Sequence, residues 1–96
     1  MNEENPIANP TVVLREEFDN WAFLFDPDTA KTVIINPVGA EVWRLMDGKR
    51  DLKAILAEIN SRFSAVPNNA SEQVADFIKA LKEFGFVGYG IEVKQK

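Results

Sequence analysis

The chain has 96 residues, 46% of them apolar, and its 15 acidic against 11 basic side chains leave a net charge of −4. That length suits one compact domain with a real core and leaves no room for two. The absence of both Cys and His excludes thiol nucleophiles, disulfides, imidazole bases and the usual zinc ligands, so no metal site or cofactor is expected.

The negative balance opposes an electrostatic grip on phosphate backbones unless the cations gather on one face. The acidic start Asn2-Glu3-Glu4-Asn5 lacks the charged-then-apolar pattern of a signal peptide. No apolar run approaches the ~18 residues that a membrane span needs. The expectation is a cytoplasmic protein without a membrane partner.

Residues 1–10 are polar and interrupted by Pro6 and Pro10, which predicts a flexible N-terminal arm ahead of a single domain over 11–89 and a C-terminal tail over 90–96, frayed at Lys94-Gln95-Lys96. Val12, Val13 and Leu14 give way to Arg15-Glu16-Glu17, a short strand whose charged end guards an edge against stray pairing. Asp19-Asn20 turns the chain. From Trp21 to Asn36 two aromatic and β-branched runs flank Asp26-Pro27-Asp28-Thr29-Ala30. Pro27 presets the φ of a turn and the aspartates can accept from its free amides, so this stretch predicts a β-hairpin. Both strands are apolar on both faces, with Trp21, Phe23 and Phe25 alternating with Ala22 and Leu24. Each face therefore calls for cover.

Asn36-Pro37 predicts the switch to helix, Asn as N-cap and Pro at the first helical position. Val38, Val42, Leu45 and Met46 recur at helical spacing with Trp43 as a core anchor, and Gly48 is placed to end the helix. A second helix is expected from about Asp51, with the stripe Leu52, Ile55, Leu56, Ile59 and Phe63. Ser64 to Asn69, containing Pro67, breaks it. Asn69-Ala70-Ser71-Glu72 resembles a capping box for a third helix whose buried stripe is Val74, Phe77, Ile78 and Leu81. Gly85 and Phe86 then fit a Schellman ending in which Phe86 presses on Leu81. Phe86-Val87-Gly88-Tyr89 is a brief strand or an extended tail. The resulting class is α+β, a three-stranded antiparallel sheet followed by three helices, similar to a small winged helix-turn-helix domain in circular order.

The run from Leu14 to Thr29, the segment Asn36-Pro37-Val38-Gly39-Ala40-Glu41-Val42-Trp43 and the turn Asp47-Gly48-Lys49-Arg50 together resemble the PqqD family. Its members are small winged-helix domains, also called RiPP recognition elements. They bind the leader of a ribosomally made precursor peptide and present it to a modifying enzyme, often a radical SAM maturase. The resemblance runs from about Ala8 to Val87. The most distinctive pieces, N-P-V-G-x-x-x-W and D-G-x-R, are intact, while the 64–69 loop and the acidic arm depart from it. It implies a non-catalytic adaptor whose partners are a leader peptide and a maturase, with the oligomeric state open.

In the family the leader adds as a strand to the third strand beside the third helix. That implicates Thr32, Val33, Ile34 and Ile35 together with Val74, Phe77, Ile78 and Leu81. The strand contains no Pro, so its edge can pair. Helical spacing leaves the flank of the third helix open: Ala75, Ile78 and Lys82 lie on one side, the side expected to border the peptide, and Gln73, Phe77 and Ala80 on the other. Periodicity by itself reads these apolar residues as core.

Two other functions compete. A winged helix can read DNA, with Lys79 and Lys82 on phosphates, but Glu72, Asp76 and Glu83 share that helix and cancel the attraction, so no nucleic acid is expected. Catalysis would rest on the Asp26 and Asp28 carboxylates, which serve a turn first.

Overall fold

The computed structural model describes residues 5–63 and 68–89. Residues 1–4 of the expected arm, most of the 64–69 loop and the expected tail over 90–96 lie outside the described residues. Strands β1 (Pro6–Ala8), β2 (Val13–Glu16), β3 (Ala22–Phe25) and β4 (Thr32–Ile35) precede helices α1 (Pro37–Leu45), α2 (Leu52–Arg62) and α3 (Ala70–Glu83), and β5 (Val87–Tyr89) follows. The architecture is α+β, with a three-stranded antiparallel sheet in the order β2-β3-β4.

Two tight turns set the register of that sheet. Between β2 and β3, Asp19 and Asn20 take left-handed φ angles of 59° and 66°, a region that Asp and Asn tolerate because their short side chains bond locally. Between β3 and β4, Asp26 Oδ1 accepts from the Asp28 N–H at 2.9 Å while the Asp26 carbonyl accepts from Ala30 N–H at 2.7 Å. Asp28 lies exposed in the same turn.

Cross-strand rows then follow from the pairing: Leu14, Leu24 and Val33 form one row, and Glu16, Ala22 and Ile35 another, on the helix-facing side. Ala22, Leu24 and Ile35 are all buried there. Side chains alternate across a strand, so Val13, Phe25 and Thr32, and then Arg15, Phe23 and Ile34, form the opposite face. Here the expectation of cover on both faces is corrected. Val13, Phe25 and Ile34 are exposed, Ile34 to 64%, and among the described residues no element lies over them.

The N-terminal region also differs from expectation. Pro6–Ala8 is a strand paired antiparallel with β5, Pro6 opposite Tyr89 and Ala8 opposite Val87. On its other side it is held by the segment after α1, where Ala8 N–H donates to Met46 O at 2.9 Å and Gly48 N–H donates to Pro6 O at 3.1 Å. Proline survives in this strand because a residue at a strand start can forgo a ladder donor. Gly48 is required twice over. Its φ is +83°, and a Cβ there would stand 2.8 Å from Ile7 Cγ1.

The helix ends are built largely as their sequences dictate. Asn36 Oδ1 accepts from Gly39 N–H at 2.7 Å and Asp51 Oδ1 from Ala54 N–H at 2.9 Å, capping α1 and α2. Asn69 does sit at the N-cap of α3, but no side-chain bond closes that end, so the expected capping box does not form. At the other end of α3 the Schellman geometry is complete. Phe86 N–H donates to Leu81 O at 2.9 Å and Gly85 N–H to Lys82 O at 3.0 Å, with Gly85 at φ +83°. The core lies between the helix-facing side of the sheet and the helices, and Phe86, Leu24, Ile55, Ile59 and Val42 are its largest fully buried side chains.

Polar contacts tie the helices together outside that core. Arg44 pairs with Glu16 of β2 and with Glu41, and Arg62 joins Glu41 to Glu58. In the α1 to α2 turn, Asp47 Oδ1 accepts from Lys49 N–H at 2.9 Å and Oδ2 accepts from Arg50 Nη1 at 2.7 Å. The Lys49 amide above all, with the Arg50 charge added and slight burial opposing, holds the Asp47 carboxyl below its ordinary pKa. A carboxyl depressed in the folded state stabilises above its unfolded pKa and loses that contribution as pH falls through its folded one. Asp47→Asn is therefore expected to melt below wild type at neutral pH, with the gap in Tm closing as pH drops well under about 4. A gap that stays constant down the acid limb would rule this out.

Candidate functional site: a groove beside the β4 edge

β4 is the last strand of its sheet, and hydrogen-bond phase decides what its free side offers. Asp26 N–H donates to Lys31 O at 3.0 Å, and the register places Leu24 opposite Val33 and Ala22 opposite Ile35. Antiparallel pairs alternate between bonded and non-bonded. Val33 and Ile35 therefore spend their backbone groups on β3, and Thr32 and Ile34 turn both N–H and C=O outward. Among the described residues no strand or backbone donor meets that side. The terminal strand β5 is paired with β1 and does not occupy it.

Alongside this edge runs a groove of about 690 Å³. One wall is β4 itself, from Val33 to Asn36. Val38, Gly39 and Val42 of α1 form the floor, with Ile59 and Phe63 from the end of α2 behind them. Ala70, Gln73, Val74 and Phe77 of α3 make the far wall. None of these lining residues is charged, and the two amides, Asn36 and Gln73, stand on opposite walls. Beyond the other end of the strand, Lys31 Nζ lies 5.5 Å from the centre of the Phe84 ring and 3.4 Å from Phe84 O, tying the start of β4 to the end of α3.

Of the residues expected from the sequence, Val33, Ile34, Ile35, Val74 and Phe77 line the groove. Thr32 contributes backbone edge. Ile78 and Leu81 are core, only 4% and 2% exposed, and Ala75 and Lys82 do not line the cavity, although Lys82 has contacts of its own. The flank of α3 at the groove is thus that of Gln73 and Phe77, not that of Ala75, Ile78 and Lys82. The floor was missed because Val38, Val42, Ile59 and Phe63 read as ordinary helix stripes. The available signal was Gly39, a side-chain-free position inside the apolar face of α1. Lys79 and Lys82 are exposed on α3, as are Glu72, Asp76 and Glu83.

The fold and the groove together define a class: a small α+β domain whose β4 edge is paired with no other strand among the described residues and runs beside a cleft that uncharged described residues line. Residues 22–87 match the sequence profile of the family described as coenzyme PQQ synthesis protein D (PqqD), and the chain belongs to that family. No curated protein matches the chain. Among solved structures it is similar to TbiB1 in complex with the TbiA(beta) leader peptide, at 19% identity and a TM-score of 0.68, over 94% of this chain and 99% of that one. At that identity the likeness is one of fold.

Proposed function

We propose that this protein is a non-catalytic adaptor that captures the leader of a ribosomally made precursor peptide by strand addition to β4 and presents it to a separate modifying enzyme, a radical SAM maturase or another of that kind, in the cytoplasm. The observation that carries the reading is the pair of outward-facing residues Thr32 and Ile34 next to an apolar groove. An edge of this kind supplies main-chain affinity while the groove supplies side-chain selection. Membership of the PqqD family supports it, as does the fold shared with a protein solved with a leader peptide. Asp26, one of the two carboxylates considered for catalysis, is buried with its Oδ1 bonded to the Asp28 amide, which is a turn-building role.

The energetics suit reversible capture. Four backbone hydrogen bonds at about 0.5 to 1.5 kcal/mol each, with two apolar anchors at about 1.5 to 3 kcal/mol each, leave at most roughly −8 kcal/mol, a complex of micromolar affinity or weaker, after association costs of about 4 kcal/mol or more. The test is a titration of isotope-labelled protein with the leader half of a precursor peptide sought among the short reading frames beside its gene. Amide shifts are expected along Thr32 to Ile35 and at Gln73 and Phe77. Shifts confined to other surfaces would sink the reading.

A further inference from the structure

We propose that Phe77, packed over Gly39, is the specificity-determining residue of the groove, limiting it to two uncharged side chains of moderate bulk that stand two positions apart on the bound peptide. The inference rests on the strand-addition reading above and adds what that strand must carry.

Peptide residues that bond to Thr32 and Ile34 share their side-chain direction and point to the open face of the sheet. The residues opposite Val33 and Ile35 point the other way, into the groove. The surfaces they meet come from Val38 and Gly39 on the floor and Val74 and Phe77 on the far wall. With no charged lining residue among the described residues, a carboxylate or ammonium at either inward position would lose water and find no counterion there. At the outward position between them a charge stays in solvent.

The size limit comes from a close approach. A Cβ built on Gly39 would lie 3.2 Å from Ile35 Cβ and 3.3 Å from Phe77 Cζ, so the tip of the Phe77 ring reaches across from α3 to the α1 floor. Phe77 is only half-buried, and the neighbouring Val74 and Ile78 are the side chains that anchor α3, at 5% and 4% exposure. Phe77 therefore shapes the groove more than it holds the fold. Removing its ring deepens the groove, and Gly39→Ala, by adding a methyl group to the floor between Ile35 and Phe77, makes it shallower.

The probe is a capped seven-residue threonine peptide with leucine at its third and fifth positions, titrated into the labelled full chain and followed at the Thr32 and Ile34 amides. Aspartate in place of either leucine is expected to weaken binding by roughly tenfold or more, because a charge then loses its hydration without a partner. Aspartate at the intervening threonine should leave affinity within about threefold, since it stays in water. Tryptophan in place of one leucine should bind wild type less tightly than leucine does, and Phe77→Ala should reverse that order. Phe77→Leu provides the same comparison with less loss of packing, and Gly39→Ala should sharpen the preference for the smaller side chain.

Equal sensitivity to aspartate at all three positions, or the same order of leucine and tryptophan in wild type and both Phe77 variants, overturns this inference and leaves strand addition standing. If no peptide of the series moves the Thr32 and Ile34 amides although the leader does, this inference fails and strand addition stands; if the leader does not move them either, both fail.

Discussion

Ile34→Pro is expected to lower leader affinity by more than about tenfold while leaving the melting temperature close to wild type. A tenfold loss is about 1.4 kcal/mol, and the substitution has two routes to it. It deletes an outward N–H that a bound strand would use, and it places a pyrrolidine ring on the rim where that strand must approach. The fold should tolerate it because the Ile34 amide faces away from β3, as the hydrogen-bond phase set by Asp26 and Lys31 requires, and because its side chain is 64% exposed. Calorimetry with the same leader, alongside thermal melts, separates the two effects. Lys79→Glu serves as the control, an exposed substitution on α3 outside the groove lining that should leave affinity unchanged. Equal affinities for the two variants would count heavily against β4 as the docking edge.

Phe86→Ala carries the largest expected loss of stability. The ring is fully buried, while its backbone amide makes the Leu81 bond that closes α3. Truncating a buried Phe costs about 3 to 5 kcal/mol, a large part of the roughly 5 to 15 kcal/mol that holds such a domain together. For a domain of this size that corresponds to a fall in Tm of more than about 12 °C. The neighbouring Phe84 makes an informative contrast. Its ring packs edge-on to that of Phe86 at 5.7 Å between centroids, yet it is 43% exposed, so Phe84→Ala should cost far less. Similar melting temperatures for the two variants would show that the end of α3 is not held by Phe86.

Much of this architecture is written in local chemistry. The hairpin, the Asn36 cap, the Asp51 start of α2 and the Schellman close at Gly85 each depend on residues within a few positions of one another, and each forms as its sequence implies. What local chemistry does not encode is which long-range partner a short segment will find. Pro6–Ala8 looks like polar arm because its pairing partner, Val87–Tyr89, lies at the opposite end of the chain, and because its second support comes from backbone groups at Met46 and Gly48 rather than from any pattern of its own. The capping box at Asn69 shows the converse, a motif present in sequence whose side-chain bond the backbone conformation does not use.

The candidate site divides along the same line. The β4 edge was legible because a strand of Thr32, Val33, Ile34 and Ile35 has neither Pro nor acidic side chains to block pairing. The face of α3 was not, because Val74, Phe77, Ile78 and Leu81 satisfy one helical stripe, and only the packed structure separates the buried Val74, Ile78 and Leu81 from the half-buried Phe77. Core and groove are made of the same residue types, and only packing separates them.

The pairing of Pro6 with Tyr89 brings the two ends of the described chain together in a small ladder that shares no strand with the sheet bearing β4. Every described residue lining the groove falls between Val33 and Phe77, so a covalent tether attached at Asn5 or Tyr89 would start outside the cleft. A domain wired in this way is as well suited to riding as a fused module on a larger enzyme as to shuttling between partners on its own.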